Sequence, residues 1–156
     1  RAFVEMLELP GDQAAVVTFN SEVALVQPLT GEAAALLAAL DGVQAGQGTR
    51  IDLGIDAGAA ELTGPRGRPG TNKVMVLLTD GVSSGVDDAT VRQRAEAARA
   101  TILLFTIGLG SDVDAALLRE IASGPGAAFL APSADQLGDI YRVIAYTIVC
   151  PNLTWP

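Results

Sequence analysis

Asp80 closes the apolar run VMVLLTDG (74–81) with a carboxylate, and Gly81 follows it. A carboxylate at the tip of a buried strand either caps the next turn or holds a ligand at the edge of a sheet. Thr49, in GQGTR (46–50), places a hydroxyl just ahead of Ile51 and Leu53; taken alone it reads as a helix cap. Asp52 and Asp56 stand one helical turn apart and could look like paired carboxylates, but a solvated helix face, or support of a neighbouring site by Asp52, suits them better. Asp112 and Asp114 precede another helical stretch and read as helix caps. The sequence has no His, and Cys150 is its only Cys. The commonest general base and the commonest zinc ligand are therefore absent, and no internal disulfide can form. Oxygen donors with no obvious nucleophile or base beside them suit binding rather than catalysis.

The rest of the chain must position these groups. It has 156 residues, 49% of them hydrophobic, which fits one domain with a sizeable core. No apolar run approaches the roughly 18 residues of a membrane span, so no membrane insertion is expected. Eighteen acidic against ten basic residues give a net charge of -8. That argues against nucleic acid or an anionic membrane as partner and is compatible with a metal cation or a basic protein surface.

Residues 13–20 and 22–29 read as a hairpin, with Pro28 suited to an edge strand. Val23 and Leu25 alternate along its second strand. Thr30 is placed to cap a helix carrying Leu36, Leu37 and Leu40. A Gly-rich loop (42–48) leads to a second helix, about 50–62. The basic, Pro/Gly-rich segment 64–72 reads as a solvated loop tip. Residues 73–80 and 101–110 are continuous apolar strands of the kind buried on both faces of a parallel sheet, and 127–131 is a short last strand. The helix after Asp87 and Asp88 turns Val91, Ala95 and Ala98 inward and Arg92, Arg94, Glu96 and Arg99 outward. A short helix spans 113–122. Ser133 and Gln136 fit a capping box that opens a helix with Leu137, Ile140, Tyr141, Ile144 and Ile148 inward. Residues 1–9 place Phe3, Met6 and Leu7 on one helical face. The expected fold is α/β: a doubly wound, mainly parallel sheet with helices on both faces and an antiparallel hairpin at one edge. Ligands of such sheets bind beyond the carboxyl ends of the strands, where Asp80 lies.

Five separated segments, GDQAAVVTFNSEV (11–23), GQGTRIDLGIDAG (46–58), VMVLLTDGVSSG (74–85), TILLFTIGLGSDVD (101–114) and LREIASGPGAAFLAPSADQL (118–137), together resemble a von Willebrand factor type A domain. The resemblance covers residues 1–149 and leaves 150–156 as an extended tail. It implies a metal-ion-dependent adhesion site built from an Asp-x-Ser-x-Ser stretch after the family's first strand, a Thr in a later loop and an Asp ending the fourth strand. Thr49 matches that Thr and Asp80 that Asp; Gly48, Arg50, Gly81, Val82 and Ser83 fall on the rim that faces a partner. No Asp-x-Ser-x-Ser occurs in this chain. The start at Arg1, mid-element, is read as the loss of an upstream first strand, which in the family's order lies between 13–20 and 73–80. The cation implied is Mg²⁺, or Mn²⁺ or Ca²⁺, in the intact parent, weakly held or absent here.

The function implied is a metal-dependent protein-binding or adhesion module of a larger surface or secreted protein, its ligand offering an acidic side chain to the cation. An intracellular assembly module working with an ATPase, as in chelatase-type machines, is the alternative. Third comes a phosphatase-type enzyme, since Asp112-Val113-Asp114 looks like the Asp-x-Asp of haloacid dehalogenases; there the pair ends the strand directly, whereas here Gly108 to Ser111 intervene. Self-association through unpaired strand edges is expected of the isolated chain. Asn152-Leu153-Thr154 is a glycosylation sequon of little weight.

Overall fold

Runs without charge form the strands, and segments with helical periodicity cover them. The computed structural model describes residues 1–44, 46–131, 133 and 136–149, the last by its backbone alone; the tail 150–156, with its sequon, lies outside them. Strands β1 (Ala14–Phe19) and β2 (Val23–Thr30) form an antiparallel hairpin. Asn20 closes its turn: the side-chain oxygen accepts the Glu22 amide hydrogen at 2.8 Å. Strands β3 (Val74–Thr79), β4 (Leu103–Leu109) and β5 (Ala128–Ala131) form a parallel sheet in the order β3-β4-β5. Parallel neighbours need long crossovers, and α3 (Asp88–Arg99) and α4 (Ala115–Ile121) supply them.

Helices lie on both faces. α2 (Ile51–Thr63), α3 and α4 bury Ile51, Ile55, Val91, Ala95, Leu117 and Ile121 against Met75, Leu77 and Leu104. On the other face α5 (Leu137–Val149) sets Ile144 on Phe105 and Ile107, with Leu137, Ile140, Tyr141 and Ile148 beside it. The expected inner faces of both α3 and α5 are therefore the observed ones. The α/β fold with helices on both faces is that of the sequence reading, but the strands form two ladders. Among the described residues β1 pairs only with β2, and β3 only with β4.

Several local expectations are corrected. Residues 1–9 form only a 3₁₀ turn at Val4–Met6; the extended backbone of Leu7 ends it, and Val4 rather than Phe3, Met6 or Leu7 is the buried residue. Helix α1 (Ala33–Asp41) takes Glu32 at its cap position, and the Thr30 hydroxyl accepts the Glu32 amide hydrogen at 3.1 Å instead of capping. Val23 and Leu25 are exposed; only Gln27, Leu29 and Thr30 of β2 are partly buried. The cause is local anchoring: the Leu29 amide donates to the buried Glu61 carboxylate of α2 at 2.8 Å, drawing that end of β2 onto the helix. The loop 64–72 is tied down rather than simply solvated. Arg66 forks onto Glu61 at 2.6 and 2.7 Å, and Arg68 donates to the Pro10 and Gly11 carbonyls. Arg99 is not on the wet face, for it donates to the carbonyls of Glu120 and Ala122 and so ties α3 to α4.

Gly54 and Gly58, one turn apart on α2, let two strands reach the same helix face. A Cβ at Gly54 would lie 2.8 Å from the Phe19 ring of β1, and one at Gly58 would lie 2.9 Å from the Met75 methyl of β3. Gly54→Val is expected to overpack this contact and lower stability by about 1–3 kcal/mol, read from the midpoint of urea unfolding.

Candidate metal-binding loops at the strand ends

Three loops meet beyond the carboxyl ends of β1 and β3. The Arg50 amide donates to the Asn20 carbonyl at 2.8 Å, and the Ser21 amide donates to the Gln47 carbonyl at 2.8 Å. The Ser84 amide donates to the Thr49 carbonyl at 2.9 Å, and the Thr49 amide donates to the Ser84 hydroxyl at 2.8 Å. Gly48 takes the left-handed conformation, φ 81°, which favours glycine and turns the chain into Thr49. These bonds bring Thr49 to the end of β3: its Oγ1 lies 3.1 Å from where a Cβ of Gly81 would stand. Thr49 and Gly81, 32 positions apart in sequence, thus share one surface, with Asp80 exposed beside them.

Neither residue acts as a cap through its side chain. Arg50 stands at the N-cap of α2, which has no side-chain cap. At the end of β3 the Thr79 hydroxyl accepts the Gly81 amide hydrogen at 3.3 Å. Among the described residues the Thr49 hydroxyl and the Asp80 carboxylate take part in no hydrogen bond or ion pair. Val82 projects from the rim with 53% of its surface exposed, and the Ser83 hydroxyl is buried with no partner among the described residues. The role of Ser84 escaped the sequence reading, because a serine immediately after the rim carries no signal that it will hold a loop 35 positions away.

Arg50 is paired on the rim. Its guanidinium forks onto the buried Asp52 carboxylate at 2.8 and 2.7 Å, and its aliphatic stem packs over Gly85, where a Cβ would lie 3.3 Å away. The hydrogen bonds from Arg50 hold the Asp52 carboxyl below the ordinary range against the opposing effect of burial. The pair is neutral as a unit, so it fastens the loop more than it charges it. Asp56 pairs with Arg94 at 3.4 Å on the helix surface. Asp114 caps α4 by accepting the Leu117 amide hydrogen at 2.9 Å, and Asp112 accepts from the Ser111 hydroxyl at 3.0 Å.

The donors suit a hard cation in kind, since Thr49 and Asp80 offer a hydroxyl and a carboxylate, with no nitrogen or sulfur. They fall short in number of the six that Mg²⁺ needs. Among the described residues no group of three or more acidic or Cys side chains gathers to hold a metal, and no helix is long and apolar enough to cross a membrane.

Known structures resemble this one. Proximal thread matrix protein 1 from the mussel byssus superposes with a TM-score of 0.78 at 26% identity, over 94% of this chain and 38% of that one. A second structure of the mussel protein, described as having a zinc-occupied MIDAS motif, is also 26% identical, with a TM-score of 0.78, over 92% of this chain and 37% of that one. The pilus adhesin SpaC from Lactobacillus rhamnosus GG shares the fold, with a TM-score of 0.79 at 17% identity over 96% of this chain and 27% of that one. The chain thus spans well under half the length of these neighbours. No curated protein sequence matches it. The family model for the von Willebrand factor type A domain matches residues 2–143, and the chain belongs to that family.

Proposed function

We propose that this chain is a protein-interaction module whose binding depends on a divalent cation at Thr49 and Asp80, within a larger surface or secreted protein. The observation that carries the reading is the convergence of Thr49 and Asp80 beyond the strand ends, with neither side chain taken up in a cap. A cation held there by a hydroxyl and one carboxylate stays electron-poor and attracts an acidic side chain from a protein ligand. Structural neighbours that are a matrix protein and an adhesin support this reading. So does the mussel protein with its zinc-occupied motif. The chemistry favours binding over catalysis, because the sequence has no His and among the described residues no Cys stands beside the two donors.

Manganese tests the location even where affinity is low, because a paramagnetic ion broadens nearby amide resonances. Titration with Mn²⁺ is expected to broaden residues 48–50 and 80–83 first, with Asp80→Ala abolishing the effect there. Broadening centred on Asp87 and Asp88 or on Asp112 and Asp114 would sink the proposal.

A further inference from the structure

Positive charge is unevenly placed on this acidic chain. Six of its ten basic residues pair with a carboxylate. Arg68, Lys73, Arg99 and Arg119 pair with none among the described residues. All four lie on the connections that lead into the amino ends of β3, β4 and β5. The Thr49 and Asp80 loops stand at the opposite, carboxyl ends. Uncompensated positive charge is thus kept to the end of the sheet away from the candidate cation site.

Two of the four, Arg99 and Arg119, line one cleft of about 560 Å³ where the ends of α3 and α4 meet the segment that leads into β5. Glu120 is the one acidic residue lining it, and Arg92 Nε donates to that carboxylate at 2.5 Å. Arg99 directs Nη1 at the carbonyls of Glu120 and Ala122, at 2.9 and 2.6 Å. These bonds offset the negative end of the α4 dipole and hold the guanidinium in place. They leave Nε and Nη2 without a partner among the described residues, and that edge is a fork able to grip an oxyanion by two bonds. Arg119 takes part in no side-chain hydrogen bond or ion pair among the described residues. The Ser123 hydroxyl accepts the Leu104 amide hydrogen at 2.8 Å, which leaves its own hydrogen to donate.

We infer that this cleft binds a phosphate group, held by Arg99, Arg119 and the Ser123 hydroxyl. Two guanidiniums without carboxylate partners match the two charges of the dianion. The donors come from α3, from α4 and from the segment ahead of β5. A tetrahedral anion can accept from three such directions, whereas a carboxylate presents two oxygens in one plane. The inference is independent of the cation site and fails separately from it.

Inorganic phosphate is the probe, titrated into the 156-residue chain at constant ionic strength and about pH 7.5, where it is mainly the dianion. Amide NMR shifts are the readout. Phosphate is expected to shift the amides of residues 119–124 saturably and to leave 48–50 and 80–83 in place. Arg119→Gln is expected to weaken binding about tenfold, the loss of one charge-assisted contact. Its fold is expected to persist, since Arg119 bonds to no other group among the described residues. Lys73→Gln removes the same charge at the same end of the sheet but off the cleft, and is expected to change the affinity by less than about twofold. Methyl phosphate separates the sources of the group. Binding as tight as that of phosphate assigns the cleft to a phosphate ester, and weaker binding assigns it to the free ion. The inference would be overturned by the lack of a saturable shift, by equal shifts from acetate, by an affinity that Arg119→Gln leaves unchanged, or by equal weakening in Arg119→Gln and Lys73→Gln.

Discussion

Magnesium titrated to millimolar concentration into the 156-residue chain is expected to produce little heat. Thr49 and Asp80 supply two oxygen donors, whereas Mg²⁺ demands a near-ideal octahedron and dehydrates reluctantly. Fusing a strand followed by Asp-x-Ser-x-Ser ahead of Arg1 is expected to create a one-to-one site. Asp80→Ala in that fusion should remove it, and Thr49→Val should weaken it strongly, since each deletes a donor without disturbing a hydrogen bond seen in the fold. Asp114→Ala, whose carboxylate caps α4, should leave the isotherm unchanged. A clear isotherm from the 156-residue chain, lost in Asp80→Ala, would show instead that the site is complete without such a segment.

Loss of the Glu61 side chain should cost substantial stability. Glu61 is buried in α2, accepts the Leu29 amide hydrogen, and receives the fork of Arg66. The Arg66 hydrogen bonds hold its carboxyl below the ordinary value, aided by Leu29 and opposed by burial. Glu61→Ala strands the Leu29 donor and unties the 64–72 loop, at an expected cost of about 2–3 kcal/mol. The sign of the pH dependence follows from the lowered pKa. Such a carboxylate contributes its stability above the unfolded value of about 4.3 and loses it as pH falls through the lower folded value. The gap in urea midpoint between the wild type and Glu61→Gln should therefore narrow below about pH 4. A gap that is constant with pH would assign Glu61 a packing role only.

Much of the fold was legible because it depends on near neighbours in sequence. The apolar runs at 73–80 and 101–110 announced central parallel strands, and Val91, Ala95 and Ala98 marked the inner face of α3, since period and burial are properties of a single segment. The resemblance named Thr49 and Asp80, and their separate sequence contexts read equally well as caps. Packing decided what sequence left open. Thr79 rather than Asp80 holds the Gly81 turn, and Arg50 rather than Thr49 stands at the start of α2.

Other features were invisible because their partners lie far apart in the chain. Glu61 looks like one more polar helix residue until the fold brings Leu29 of β2 and Arg66 to it. Arg50 reads as one more charged rim residue until its fork on Asp52 neutralises it. The sequence by itself determined which segments become strands and helices, and which oxygen donors stand at their ends. Only the tertiary structure decided which donors keep their lone pairs free and which strand edges stay open. Those outcomes depend on competition among groups from separate elements for the same hydrogen bonds, and that competition begins only once the chain has folded.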